Sequence, residues 1–472
     1  MDRRTFTKIA AGVGLLGSRA RSNVASSIIR AYATHAVLDG AIQPDGPKVN
    51  TRWTGAGSAT WKLEIPAADE YEVAVCYACA DGGAPIVLSS GSGRIEMKTQ
   101  TTAGFYTDRS SNYERVPCPS TLKLTAGSPS LTLQLPEPRG RETMRVRSVE
   151  LIPASAKTRV AEEERDARKA RASTEWFAKS GYGLMFHWTG QSQPRTGPAK
   201  TYAEAVRDFP VHKFVETIQE TGAGHVLFTV NHAIPHCPAP IASWEKYHPG
   251  LTTSRDLLGD LADALARVDI RFLLYINSPR FGKLTKDEPG EFSSIVGETQ
   301  YVDMHCEILD EIGKRYAHKV HGYWFDSWYQ SFEHYPAIRQ DRVYQACKTG
   351  NPDRIAAFNF WVLPVCTPWQ EYWAGEVGTP GPLPTSQFIG RGAGAGLQFH
   401  SLLYLDAPWV HGRLDAEMEP PRFSAEDLSN YVQSCMQNQG VVTVNLGVYQ
   451  EASIGPQARE LMWSVRRTVR GS

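Results

Sequence analysis

Between residues 30 and 155 apolar and polar positions alternate, as in Trp61, Leu63, Ile65, then Val73, Val75, then Leu131, Leu133, Leu135, and last Val149, Leu151. A period of two sends successive side chains to opposite faces of a strand, and short runs of it punctuated by Gly, Ser and Pro predict an all-β sandwich. The pattern changes over residues 156–175. There Glu162, Glu163 and Glu164 are followed by Arg165, Arg168, Lys169 and Arg171, the i,i+4 arrangement of a charged helical linker with a solvated face. From Trp176 onward apolar runs alternate with amphipathic stretches. Strands are expected at 183–189, 225–231, 271–277, 322–328, 354–360, weakly at 372–376, then at 398–405 and 441–447. Helices are expected at 211–221, 254–268, 301–318, 335–348, 424–439 and 456–469. Such alternation implies a parallel sheet wrapped by helices, and eight strands over residues 176–472 favour an α/β chain with a (β/α)8 TIM-type barrel over an open doubly wound sheet. No glycine-rich phosphate loop follows the first strand, which removes the usual nucleotide-binding reading.

A chain of 472 residues has room for both units. Its 50 basic and 50 acidic residues cancel, so no overall field draws nucleic acid or an anionic membrane. A neutral partner is expected instead, and twelve Trp supply flat apolar faces for stacking on the rings of a glycan. Residues 1–29 are set apart. Arg3 and Arg4 precede Phe6, and the uncharged stretch from Ile9 to Gly17 follows, as in a twin-arginine export signal that would send the protein to the periplasm or beyond. That stretch is roughly half as long as a bilayer-spanning helix needs, and no later run reaches twenty apolar residues, so no membrane span is expected in the mature protein. The eight cysteines show no paired metal-ligand spacing with histidine, and no metal or cofactor is expected. Cys76 and Cys79 form a C-x-x-C, but within an alternating strand they face opposite ways, against a redox or zinc role.

In a TIM-type barrel the active site gathers at the C-terminal ends of the strands, so the polar residues that end apolar runs are the candidates. They are His187-Trp188, Asn231-His232, Tyr275 and Asn277, Asp326 with Trp328 beyond it, Asn359, and in the sixth region Glu371 and Glu376. A polar residue in such a place can equally cap the next helix. Asp326 stands out because Tyr323-Trp324-Phe325 precede it and Trp328 follows, an aromatic wall able to exclude water and stack on a sugar. Two carboxyl groups at one rim can cleave a glycosidic bond, one attacking and one delivering a proton.

At these residues the chain resembles the α-L-fucosidases of glycoside hydrolase family 29. Gly183-Leu184-Met185-Phe186-His187-Trp188 is similar to that family's opening strand, which ends in His-Trp-Gly, and Val226 to His232 resembles a second strand ending in Lys-His-His-Asp-Gly-Phe. Arg255-Asp256-Leu257-Leu258 with Phe272-Leu273-Leu274-Tyr275 resembles the Arg-Asp-Leu-Val helix and the strand after it. Trp324-Phe325-Asp326 matches the segment that carries the nucleophile, and Thr443-Val444-Asn445-Leu446-Gly447 with Ile454-Gly455-Pro456 the closing strand and helix. The matches run in order from residue 176 to about 470.

The resemblance implies a retaining exo-glycosidase. Asp326 would form a covalent glycosyl-enzyme, Glu376 or else Glu371 would act as acid/base, and Tyr275, His187 and His232 would hold the sugar. Trp188, Asn277, Trp328 and Asn359 are the further binding candidates. Departures are plain: Thr189 stands where the family has Gly, and the double-histidine motif is reduced to Asn231-His232-Ala233. A lost hydrogen bond to a sugar hydroxyl changes selectivity strongly. A glycosidase for another terminal sugar, and a non-catalytic carbohydrate-binding protein on the same barrel, therefore stay open.

Overall fold

The computed structural model describes residues 28–471 apart from 46–49, 103–104, 108–109, 112, 141, 233, 278–296, 336, 362, 382, 391 and 408. The expected export signal lies almost wholly outside the described residues. Ahead of the linker come β1 (Ile29–Tyr32), β2 (Val37–Pro44), β3 (Thr51–Lys62), β4 (Asp69–Ala78), β5 (Pro85–Ser90), β6 (Gly93–Lys98), β7 (Phe105–Thr107), β8 (Ser110–Ser111), β9 (Glu114–Leu124), β10 (Ser130–Leu135) and β11 (Met144–Pro153). Apart from the small β7–β8 pair, they form one antiparallel sheet in the order β6-β5-β10-β3-β11-β4-β9, with β1 added on β11 and β2 on β3. Hydrogen bonding thus runs unbroken where the alternation predicts a sandwich, because the long strands β3 and β11 each serve three neighbours.

β11 carries the period-two logic furthest. Met144 and Val146 face the apolar cluster of this sheet, a bulge between Val146 and Ser148 switches the parity, and Val149 and Leu151 face it thereafter. The other face bears Arg147, which reaches Glu333 of the second unit at 3.0 Å, and Glu150, which takes Arg30 at 3.0 Å and Arg115 at 2.7 Å. The charged linker is helical over Lys157–Ala170. Its Glu163 accepts from Trp369 Nε1 at 2.8 Å, tying it to the second unit. Cys76 and Cys79 are both buried free thiols, and Cys79 lies against the carbonyl of Thr143 at 3.1 Å.

The second unit contains β12 (Tyr182–Phe186), β13 (His225–Asn231), β14 (Arg271–Asn277), β15 (Gly322–Asp326), β16 (Ile355–Phe358), β17 (Glu376–Gly378), β18 (His400–Tyr404) and β19 (Val441–Asn445). All eight are parallel, in the order β16-β15-β14-β13-β12-β19-β18-β17. Helices follow where the 3.6-residue period places them, for example Val211–Glu220, Leu257–Ala266, Glu298–Tyr316 and Ala425–Gln437. One buried cluster gathers Met185, Leu227, Leu273, Trp324, Ile355, Leu402 and Val441 from seven of these strands, so the sheet curves around a shared interior. Outward-facing Phe186, Phe228, Phe272, Phe325 and Phe358 pack instead beneath the helices. No helix among the described residues is long and apolar enough to cross a membrane.

The ladder does not continue from β16 to β17, and the weak sixth strand begins at Glu376 rather than ending there. Alternate amides of β16 bond to the β15 side: Ile355 N donates to His321 O and Asn359 N to Phe325 O. The amides of Ala356 and Phe358 point the other way, to an edge with no strand. Side chains satisfy them: Ala356 N donates to Glu371 Oε2 at 2.7 Å and Phe358 N to Gln370 Oε1 at 3.2 Å. Glu371 also accepts from Lys348 Nζ at 2.5 Å, Ala172 N at 3.1 Å and the Tyr344 hydroxyl. This corrects its place among the catalytic candidates. Its side chain is fully buried, sealing the sheet edge, and no substrate reaches it.

Because removing one partner strands a buried charge, Glu371→Ala is expected to lose about 3–5 kcal/mol of stability in urea denaturation. The pocket at the opposite end of the strands should keep its ligand affinity in the fraction that stays folded.

Candidate active site

Strand parity decides which candidates meet. In β15 Trp324 and Asp326 point inward while Tyr323 and Phe325 join the outer core. His187, His232, Tyr275, Asp326 and Glu376 come together around a cavity of about 480 Å³, which Trp324, Ser327, Tyr329, Gln330, Trp361 and Trp409 also line.

Four donors converge on the Asp326 carboxylate: the Tyr275 hydroxyl at 2.5 Å and Asn277 Nδ2 at 3.2 Å on Oδ2, and Asn359 Nδ2 at 2.9 Å and Ser327 N at 2.7 Å on Oδ1. That is the setting of an acceptor-only group. Burial and the neighbouring Asp326 push the Tyr275 phenol far above its ordinary value, so it remains a donor. Its ring stacks on Trp324 with centroids 5.2 Å apart. Asn277 is held in turn by Asn231, whose Oδ1 accepts from Asn277 N at 3.0 Å.

Asn359 links the two carboxyl groups. Its Oδ1 accepts from Trp361 N at 2.7 Å, which turns its amide nitrogen toward the cavity. That one nitrogen donates to Asp326 Oδ1 at 2.9 Å and to Glu376 Oε2 at 2.6 Å. The two bonds laid end to end reach 5.5 Å, so these oxygens are no farther apart than that. Burial and the Asp326 charge raise the Glu376 carboxyl to about 8, against the opposing pull of the Asn359 bond. One carboxyl thus accepts four hydrogen bonds and its neighbour is biased to keep a proton.

His187 is buried, its ring 4.5 Å from that of His232 and 5.1 Å from Tyr275. Burial, then the proximity of His232, drive its pKa well below the ordinary value and keep it neutral. Neither ring nitrogen has a partner among the described residues. A neutral imidazole offers one donor and one acceptor, which suits a hydroxyl-bearing ligand.

Two expected binding residues are elsewhere. Trp188 follows the inward His187 and turns outward, where its Nε1 donates to Gln450 O at 3.1 Å and its ring packs on Phe209. Trp328 opens the helix Trp328–His334, donates to Gln340 Oε1 at 2.7 Å and packs at a tilt against Phe358 in the outer core. The aromatic wall is made instead by Trp324, Trp361 and Trp409. Residues 361 and 409 lie outside the regular strands, in segments without periodicity. Ser327, Trp361 and Trp409 hold φ of 57°, 56° and 73°, left-handed conformations costly for residues with a Cβ. Backbone strain of this kind collects at functional sites.

No family model matches the chain. Tissue α-L-fucosidase of Macaca fascicularis is 25% identical over 138 residues, which are 22% of this chain and 29% of the relative. Tissue α-L-fucosidase of Homo sapiens is 28% identical over 117 residues, 22% of this chain and 23% of the relative. The chain thus spans less than a third of the length of these curated relatives. Among solved structures, α-L-fucosidase isoenzyme 1 from Paenibacillus thiaminolyticus overlaps 64% of this chain and 76% of its own at 16% identity, with a TM-score of 0.49.

If Asp326 raises the Glu376 carboxyl, Asp326→Asn should lower its titration midpoint. Carboxyl-carbon NMR titration of the two proteins checks this, and an unmoved midpoint would contradict the coupling.

Proposed function

We propose that the chain is a retaining exo-glycosidase, fucosidase-like, acting on a terminal sugar of a glycan. The observation that carries the reading is the single amide nitrogen of Asn359 bonded to both Asp326 and Glu376. Retaining glycosidases place their two carboxyl groups roughly 5–5.5 Å apart, so that one attacks directly without room for a water between. Sequence similarity to the tissue α-L-fucosidases supports the same class.

In this mechanism Asp326 attacks the anomeric carbon as the bond to the leaving oxygen breaks, and Glu376 gives that oxygen its proton. Glu376, now a carboxylate, then takes a proton from water. The water attacks the anomeric carbon and releases Asp326. Tyr275 and Asn277 hold the nucleophile, and His187 with His232 hold sugar hydroxyls. Neither step calls for a metal. The catalytic unit is read as a TIM-type barrel over residues 176–472 whose seam lies between β16 and β17, with the β-domain of residues 30–155 and the linker of 156–175 ahead of it. Arg3 and Arg4 support twin-arginine export to the periplasm or outside the cell.

A second reading, another terminal sugar, is favoured by Asn231. Its side chain is spent on the backbone of Asn277, at 3.0 and 3.2 Å, rather than on the cavity.

A panel of aryl glycosides tests the assignment. One member should be turned over, Asp326→Gly should lower kcat by roughly 10⁴-fold, and azide should restore turnover by replacing the missing nucleophile. Turnover should fall as pH rises through about 8, where Glu376 loses its proton, and Glu376→Gln should erase that limb. Binding across the panel without turnover, unchanged by Asp326→Gly, would mean a carbohydrate-binding protein instead.

A further inference from the structure

A second cavity, of about 350 Å³, lies where the antiparallel sheet, the linker helix and the parallel-sheet unit meet. Arg30 of β1, Arg171 just beyond the linker helix and Gln340 of the helix Gln340–Cys347 all line it. Each has a buried N–H group with no acceptor among the described residues: Arg30 Nη1, Arg171 Nε and Gln340 Nε2. Arg30 is 3% exposed at its side chain and Gln340 is 3% exposed overall.

The rest of each side chain is committed. Arg30 Nε donates to Glu150 at 3.0 Å, Arg171 donates to the carbonyls of Gly396 and Pro368 at 3.0 and 3.1 Å, and Gln340 Oε1 accepts from Trp328. Four arginines and three acids, Glu150, Glu163 and Glu164, line the cavity, and the first two of these acids are spoken for. Glu150 already holds Arg115 besides Arg30, and Glu163 accepts from Trp369. Burial lowers the Arg171 guanidinium from its ordinary value, a cost that an anion would relieve.

Three residues that line one space each carry an unmet donor, two of them cations, and together they call for a partner that only accepts. We propose that this cavity binds a small oxyanion, either free inorganic phosphate or sulfate or the acidic group of a charged sugar. The site is separate from the Asp326 pocket and does not depend on the glycosidase reading. Bound there, the ion would fasten β1 and the linker to the unit that carries Gln340.

Calorimetric titration of the full chain with sodium sulfate, sodium phosphate and sodium glucuronate, at ionic strength fixed with sodium chloride, tests it. At least one should bind saturably at one per chain and raise the unfolding temperature with its concentration. Binding of glucuronate alone identifies a charged sugar, and binding of the inorganic ions identifies a free anion. Gln340→Glu keeps the acceptor for Trp328 while replacing the donor with a negative charge, and should weaken binding at least tenfold, on the order of one charge-assisted hydrogen bond. Arg171→Met should do the same should the first variant fold poorly, and Asp326→Asn should leave the affinity unchanged. No saturable binding of any of the three, or binding indifferent to both Gln340→Glu and Arg171→Met, overturns the proposal.

Discussion

Two carboxyl groups held within a few ångströms of each other in a low-dielectric cavity repel unless one of them keeps a proton or a donor stands between them. In this chain Asn359 is the donor between them, and the retained proton comes from the burial of Glu376 and the charge of Asp326, against the Asn359 bond. The amide nitrogen of Asn359 faces Asp326 and Glu376 together because its carbonyl oxygen is claimed by the backbone of Trp361. The remaining donors then divide the pair. Tyr275, Asn277 and the Ser327 amide all serve Asp326, whereas Glu376 has the Asn359 bond and a desolvated surround. Of two chemically similar side chains, one thereby gathers the donors and the other is biased to keep its proton.

Much of this was legible beforehand. The period-two and period-3.6 patterns locate seven of the eight parallel strands and the longer helices, because both are imposed by burial that the sequence must satisfy locally; the short helices Glu175–Ser180, Tyr202–Asp208, Ala242–Tyr247 and Trp328–His334 hold too few turns to show a period. Asp326, Glu376, Tyr275, His187 and His232 were accessible as polar residues ending or flanking apolar runs. Trp188 and Trp328 were misplaced for one reason: aromatic character says that a residue seeks cover, and only strand parity and the turn after the strand say on which side. Counting parity from inward Asp326 and His187 separates Trp188 from the pocket; Trp328 needed the left-handed turn at Ser327 as well.

Glu371 was misassigned for a different reason. Its neighbours in sequence, Tyr372 and Glu376, suggest a sixth strand that brings it to the rim, but no ladder forms there and the side chain serves as a hydrogen-bond acceptor for β16. An irregular stretch offers no periodicity from which to read its depth. Trp361 and Trp409 escaped notice on the same account, since their positions depend on single backbone conformations rather than on a repeat.

The side-chain seam between β16 and β17 has a mechanical consequence. A strand ladder locks its two partners in fixed steps, each backbone group choosing the next, so a shift at one point must propagate along the whole edge. Across this seam the contacts are discrete clasps, the side chains of Glu371 and Gln370 with one backbone bond from Glu371 N to Ala356 O at one level and Asn359 to Glu376 at the other. The chain between those clasps takes its register from the β18 side, through Trp373 N to Gln398 O and Leu402 N to Gly375 O, so toward β16 a single amide holds Glu376 while its depth follows the pitch of one neighbouring strand.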